Sequence, residues 1–177
     1  MRISLPYRFD TSYIGTLIFK AAAWLEALLL LGLVVKLVTG DYFQALAVLL
    51  LLLFVGGFAW VIFRKAGGST GIITASHITV EPVRLYGFRT TGPQGRFRIA
   101  EFKSICVEWR PRVGEPGVQM SPGTNESVYL LGKDSTPDVE IARLTDENGR
   151  AFAHDLSELL SLPIEERPAP GVHGSRN

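Results

Sequence analysis

The sequence predicts a membrane α-helical hairpin joined to a small α+β domain, and three observations carry that expectation. Tyr42 to Phe63 is a run of 22 residues with no side chain charged at neutral pH, closed by Arg64-Lys65. A run that long and that apolar suits a transmembrane helix, whereas core helices are usually shorter. A second apolar run precedes it from about Gly15 to Val38. From Ile72 onward, apolar and polar residues alternate with period two, the signature of half-buried strands.

Charge divides the chain in the same way. Residues 1–69 hold six Lys/Arg and three Asp/Glu, while residues 70–177 hold twelve and fourteen. The C-terminal part is long enough for one small domain with its own core. Cys106 is the single cysteine, so no internal disulfide can form, which suits a reducing compartment.

Residues 1–13 mix Arg2, Arg8, Tyr7, Phe9 and Tyr13 and read as an interfacial lead-in, where cations and aromatics sit at headgroup depth. The transmembrane hairpin is expected over 14–66, with helices at about 15–38 and 42–63. A cleaved signal peptide is disfavoured, because the basic residues are spread out and no A-x-A-like site follows Val38. Lys20 and Lys36 lie near the helix ends and can snorkel to water. Glu26 lies six residues past Lys20, roughly 9 Å deeper at the rise of an α-helix.

The link Thr39-Gly40-Asp41 is too short for anything but antiparallel helices. That arrangement sets Ala22, Ala23, Glu26 and Ala27 at the depth of Gly56, Gly57 and Ala59. Small residues let helix backbones approach closely. The set Glu26, Ala23, Ala27, Gly56 and Gly57 is therefore the candidate contact face for another membrane protein or a second copy. The alternative is a carboxylate that is protonated or reaches the interface. Basic flanks on both helices predict both termini on the cytoplasmic side.

Gly67 to Gly71 reads as a linker; it lacks the spacing and lysine of a phosphate-binding loop. Strands are expected around Ile78-Val80, Phe97-Ile99, Ile105-Trp109, Val128-Leu131 and Val139-Ile141, all antiparallel. Turns are expected at 92–95, 133–137 and Asn148-Gly149. Pro111 to Asn125 has three prolines and three glycines and reads as a long loop. Phe152, Leu156, Leu159 and Leu160 then form the apolar stripe of a helix stopped by Pro163. Residues 166–177 read as a disordered tail.

This element order, six or seven antiparallel strands and then one amphipathic helix, resembles a pleckstrin-homology-like domain, a small β sandwich or barrel. With the hairpin in front, the chain resembles bacterial membrane proteins that carry such a domain. The similar stretches are the hairpin, Gly71-Ile72-Ile73 to His77-Ile78-Thr79-Val80, Arg98 to Ile105, and Asp155 to Pro163. The resemblance implies a domain over 72–165 that binds or scaffolds, and it transfers no catalytic residue.

Nothing in the sequence points to catalysis, a metal or a cofactor. His77, His154 and His173 lack Cys or His partners at ligand spacing. Cys106, on what looks like the more polar side of its strand, reads as an ordinary strand residue. Asp155 and Glu158 read as a solvated helix face, and no nucleophile elbow, zincin or dinucleotide fingerprint occurs.

Charge order is the remaining signal. Residues 84–112 hold seven cations and two anions, and residues 115–166 hold three cations and eleven anions. Arg84, Arg89, Arg96, Arg98 and Lys103 are the candidates for anionic lipid headgroups or an acidic partner, with Arg96 and Arg98 on an outward strand face. The competing expectation is that basic and acidic strands pair within the domain. Nucleic acid is disfavoured by the domain's slight acidity and the lack of an aromatic platform. The expected role is a non-catalytic scaffold or accessory subunit at the bacterial inner membrane. A headgroup-sensing module is the second choice, and an enzyme with an unrecognised site the third.

Overall fold

The computed structural model describes residues 3–111, 124–145 and 148–168. The element order is β1 (Tyr7–Asp10), α1 (Tyr13–Val38), α2 (Tyr42–Ala66), β2 (Ser69–Ile73), β3 (His77–Pro82), β4 (Arg84–Leu85), β5 (Phe88–Arg89) and β6 (Gly95–Arg98). After one 3-10 turn at Ile99–Glu101 come β7 (Phe102–Pro111), β8 (Thr124–Gly132), β9 (Val139–Thr145), α3 (Asn148–Leu160) and β10 (Ile164–Pro168). The class is α+β. The chain divides into two compact units: a helical unit, Ser12–Gly68 with Pro82–Gly92, and a sheet unit made of the rest.

In the helical unit, α1 and α2 are long and apolar enough to cross a membrane. Both are apolar on every face, and their large side chains point outward: Val38 is 82% exposed and Phe43 85%. Asp41 caps α2 by accepting from the Gln44 amide at 3.3 Å, and its other oxygen lies 3.6 Å from Lys36 Nζ. Capping and a cation beside the last turn of α1 both stabilise this bend. Gly40, at φ +75°, supplies the left-handed turn. The rings of Phe19, early in α1, and Phe63, late in α2, stack at 4.6 Å, so the helices run antiparallel.

The hairpin β4–β5 belongs to this unit. Its register sets Arg84 opposite Arg89 and Leu85 opposite Phe88. Thr90 and Thr91 tie its base to the end of α2. Thr91 donates both its amide and its hydroxyl to the Arg64 carbonyl, at 3.0 and 2.9 Å, and Thr90 Oγ1 donates to the Gly68 carbonyl at 3.0 Å. The last carbonyls of a helix need such partners. The β domain expected over 72–165 is therefore interrupted: residues 82–92 fold with the helices.

The sheet unit contains two four-stranded sheets, ordered β1-β2-β3-β6 and β10-β7-β8-β9. Ile73, Ile78 and Val80 from the first, Phe102, Ile105, Val107, Val128, Leu130, Val139 and Ile141 from the second region, and Phe152, Leu156 and Leu160 of α3 form one core. Leu159 is 40% exposed and lies outside the buried stripe. Asn148 and Gly149 open α3 instead of making a free turn. Glu126, buried on β8, accepts from the Arg150 amide at 3.1 Å, placing a carboxylate at the N-terminus of α3. A helix N-terminus favours negative charge.

Four boundaries differ from the sequence reading. The lead-in 1–13 contains β1, which pairs antiparallel with β2 from Tyr7↔Ile73 to Asp10↔Thr70. Alternation of Tyr7 and Phe9 with charged residues suits a strand with one buried face, and Phe9 is buried. The linker 67–71 instead ends α2 and begins β2. The tail 166–177 starts with strand: β10 runs through Pro168, and it pairs parallel with β7, so the sheets are not wholly antiparallel. Of the Pro111–Asn125 loop, 112–123 lie outside the described residues, as do 169–177 of the tail; β7 and β8 extend to Pro111 and from Thr124.

The β1–β2 pairing has a topological consequence. Thr11 and Ser69 exchange hydrogen bonds, Thr11 N to Ser69 O at 3.0 Å and Ser69 N to Thr11 Oγ1 at 3.0 Å. The whole helical segment thus leaves and rejoins the chain between two adjacent strands.

Candidate functional site

The helix seam holds an open cleft of about 390 Å³, lined by Phe19, Ala22, Ala23, Glu26, Gly56, Ala59, Trp60 and Phe88. Three elements build it. α1 supplies Phe19, Ala22, Ala23 and Glu26 at three- and four-residue spacings, which share a helix face. α2 supplies Gly56, Ala59 and Trp60 at the same depth. β5 supplies Phe88, whose ring meets Phe19 edge-on at 5.7 Å.

Glu26 is the only acidic lining residue. Its carboxylate occupies the space a side chain would take at Gly56: a methyl there would come within 2.5 Å of Oε1. Among the described residues no hydrogen bond or ion pair engages this carboxylate. Its neighbours in the cleft are methyls, glycine and rings, which can pack but cannot neutralise it. The Trp60 indole is the one polar group beside them, and Arg64 lies over that ring at 5.2 Å.

Of the residues singled out by sequence, Glu26, Ala23 and Gly56 come together here. Ala27 is exposed outside the cleft, and Gly57 faces open space, where an added methyl would meet nothing within 4 Å. Phe19, Trp60 and Phe88 were not singled out for it. Phe88 belongs to a hairpin whose signal, Leu85-Tyr86-Gly87-Phe88, is legible once Tyr-Gly is read as a turn between apolar residues.

The basic candidates separate. Arg84 and Arg89 lie on the β4–β5 hairpin of the helical unit, and Arg96, Arg98 and Lys103 lie exposed on β6 and β7 of the sheet unit. Arg98 is held by Glu101, Nε to Oε1 at 2.9 Å.

Other cations of the sheet unit also meet acids. Arg143 grips Glu140 through two bonds of 2.7 Å, Arg150 meets Glu166 at 2.7 Å, and Arg167 Nε donates to Glu108 at 2.8 Å. These bonds raise the Arg143 and Arg167 pKa values above the ordinary one. Glu108, Glu140 and Arg143 line a polar groove of about 270 Å³ with Arg110, Asn125, Ser127 and Tyr129.

Cys106 is buried, with Ile105 and Val107, so its strand is covered on both faces; the expected polar side is closed. Burial pushes its thiol pKa up.

Compared with known proteins, the chain matches no family model, no curated protein and no solved structure.

Proposed function

We propose that the chain is a non-catalytic accessory or scaffold subunit of a membrane protein complex. In this reading α1 and α2 cross the bacterial inner membrane as a hairpin with both termini cytoplasmic, and the sheet unit is a pleckstrin-homology-like domain used for protein contacts. The observation that carries it is Glu26: a carboxylate in an apolar seam, accommodated by Gly56 and without a hydrogen bond or ion pair among the described residues. Within a bilayer such a group costs about 2.5–3.5 kcal/mol unless it is protonated or finds a partner. A helix of another membrane protein bearing a hydrogen-bond donor or a cation answers that need.

Two further observations support the membrane reading. Core helices of water-soluble domains are covered, whereas the most apolar stretch of α1 is uncovered and only 11% of that of α2 is buried. The hydrogen bonds between Thr11 and Ser69 require the intervening segment to return to where it left, as an even number of crossings does. The basic flanks Lys20 and Arg64-Lys65 lie at that returning end, consistent with a cytoplasmic side.

The test is purification of the tagged full-length chain in gentle detergent, with mass spectrometry of what accompanies it. The expected result is a stoichiometric membrane protein that Glu26→Leu releases. A chain that purifies alone, or a partner retained equally by Glu26→Leu, overturns the proposal.

A further inference from the structure

We propose that the β4–β5 hairpin is an interfacial clamp that holds the phosphate of an anionic phospholipid between Arg84 and Arg89. The two arginines leave the face of the hairpin opposite Phe88, and neither lines the Glu26 cleft. It rests on the membrane reading of α1 and α2, but not on the existence of a protein partner.

The register places Arg84 and Arg89 directly opposite each other on a two-stranded ribbon, so both side chains leave the same face. Like charges directly opposite are destabilising. Among the described residues no acidic group is bonded to either guanidinium, whereas Arg98, Arg143, Arg150 and Arg167 each have one. Two arginines facing one gap suit a phosphate, which offers several acceptors to their planar donor forks.

The hairpin is also positioned for a lipid surface. Its Thr90 and Thr91 bonds fix it at the C-terminal end of α2, beside Arg64 and Lys65. Its other face, Leu85 and Phe88, packs toward the helices, with Leu85 against the cluster of Phe19, Ala59 and Phe63. Tyr86 at the tip is 65% exposed and its ring lies 6.2 Å from that of Phe19. Tyrosines of this kind belong at the boundary between headgroups and hydrocarbon.

The turn itself supports the assignment. Tyr86 and Gly87 both have positive φ, +50° and +83°, as a type I′ turn requires. Asparagine or glycine fills the first position with less strain, so Tyr86 is held there at a backbone cost.

The test uses the full-length chain in micelles containing either phosphatidylglycerol or phosphatidylcholine, with retained lipid counted by native mass spectrometry. The wild type is expected to retain phosphatidylglycerol in preference. A well-placed cation is worth about 1 kcal/mol, or roughly fivefold, so Arg84→Gln/Arg89→Gln loses about 30-fold in retention. Arg84→Lys/Arg89→Lys keeps the charge and loses the fork, so its retention should fall between those of the wild type and Arg84→Gln/Arg89→Gln, which separates lost charge from a lost hairpin.

Arg96→Gln/Arg98→Gln and Glu26→Leu are expected to leave retention within twofold. Equal retention of the two lipids, an unaffected Arg84→Gln/Arg89→Gln variant, or displacement of the lipid by millimolar inorganic phosphate overturns the proposal. Loss of lipid preference with the Glu26-dependent partner intact would refute the clamp alone.

Discussion

Replacing Gly56 by alanine tests the seam without altering Glu26. The added methyl would lie 2.5 Å from Glu26 Oε1 and 3.4 Å from Cδ. Carbon contacts settle near 3.5–4.0 Å, so the carboxylate must withdraw by about 1 Å. Hydrogen bonds rarely survive that displacement, since donor–acceptor distances cluster at about 2.7–3.2 Å. Hydrogen bonds between membrane helices are worth about 0.6–1.7 kcal/mol, so partner retention should fall by about 3- to 18-fold.

Gly57→Ala is the matched control. It lies one residue away on the same helix, and its methyl meets nothing within 4 Å. Both substitutions gain the same helix propensity, about 1 kcal/mol, so that term cancels in the comparison. The assay is the ratio of co-purified partner to chain in gentle detergent, with helicity followed by circular dichroism. Gly57→Ala should match wild type while Gly56→Ala loses partner. Equal retention by the two variants would refute the reasoning, because the seam would then be indifferent to where the carboxylate sits.

Three predictions concern the sheet unit. A methyl at Gly149 would stand 2.7 Å from both Cβ and Oε2 of the buried Glu126, so Gly149→Ala should destabilise this unit by about 1–3 kcal/mol, seen as faster amide exchange in β8; unchanged exchange would refute it. Cys106 should resist maleimide in the folded chain and react once denaturant is added, because burial both shields the thiol and raises its pKa from an ordinary 9.0. The same raised value, with those of Tyr7 and Tyr129 from 10.0, works in one direction: it favours folding while the groups stay protonated. That stability is complete below the unfolded values and is lost as pH rises through the folded ones, so denaturant midpoints should fall from about pH 9 upward.

The two long helices and most strands were legible because each is written in a local period. An uninterrupted apolar run and a period of two are both visible within a dozen residues. β1 was not, because a four-residue strand acquires its identity from a partner 60 or more positions away, and aromatic-cation alternation serves an interface as well as a sheet. The hairpin at 84–89 was hidden for a related reason. In sequence its residues read as charges, and the threonine bonds to the end of α2 tie them to the helical unit.

By itself the sequence determined the chemistry that each segment can bring: two helices apolar on all sides, one carboxylate among small residues, and a surplus of arginines from Arg84 onward. Tertiary structure decided which of these groups meet. It placed Glu26 against Gly56 but not Gly57; it set Arg84 opposite Arg89 within the helical unit, with no acid bonded to either among the described residues, and it paired Arg98, Arg143 and Arg167 with acids within the sheet unit. The physical reason is that composition and periodicity act locally along the chain. Which face of a helix closes on another, and which strand lies opposite which, depends on side chains far apart in sequence filling the same space.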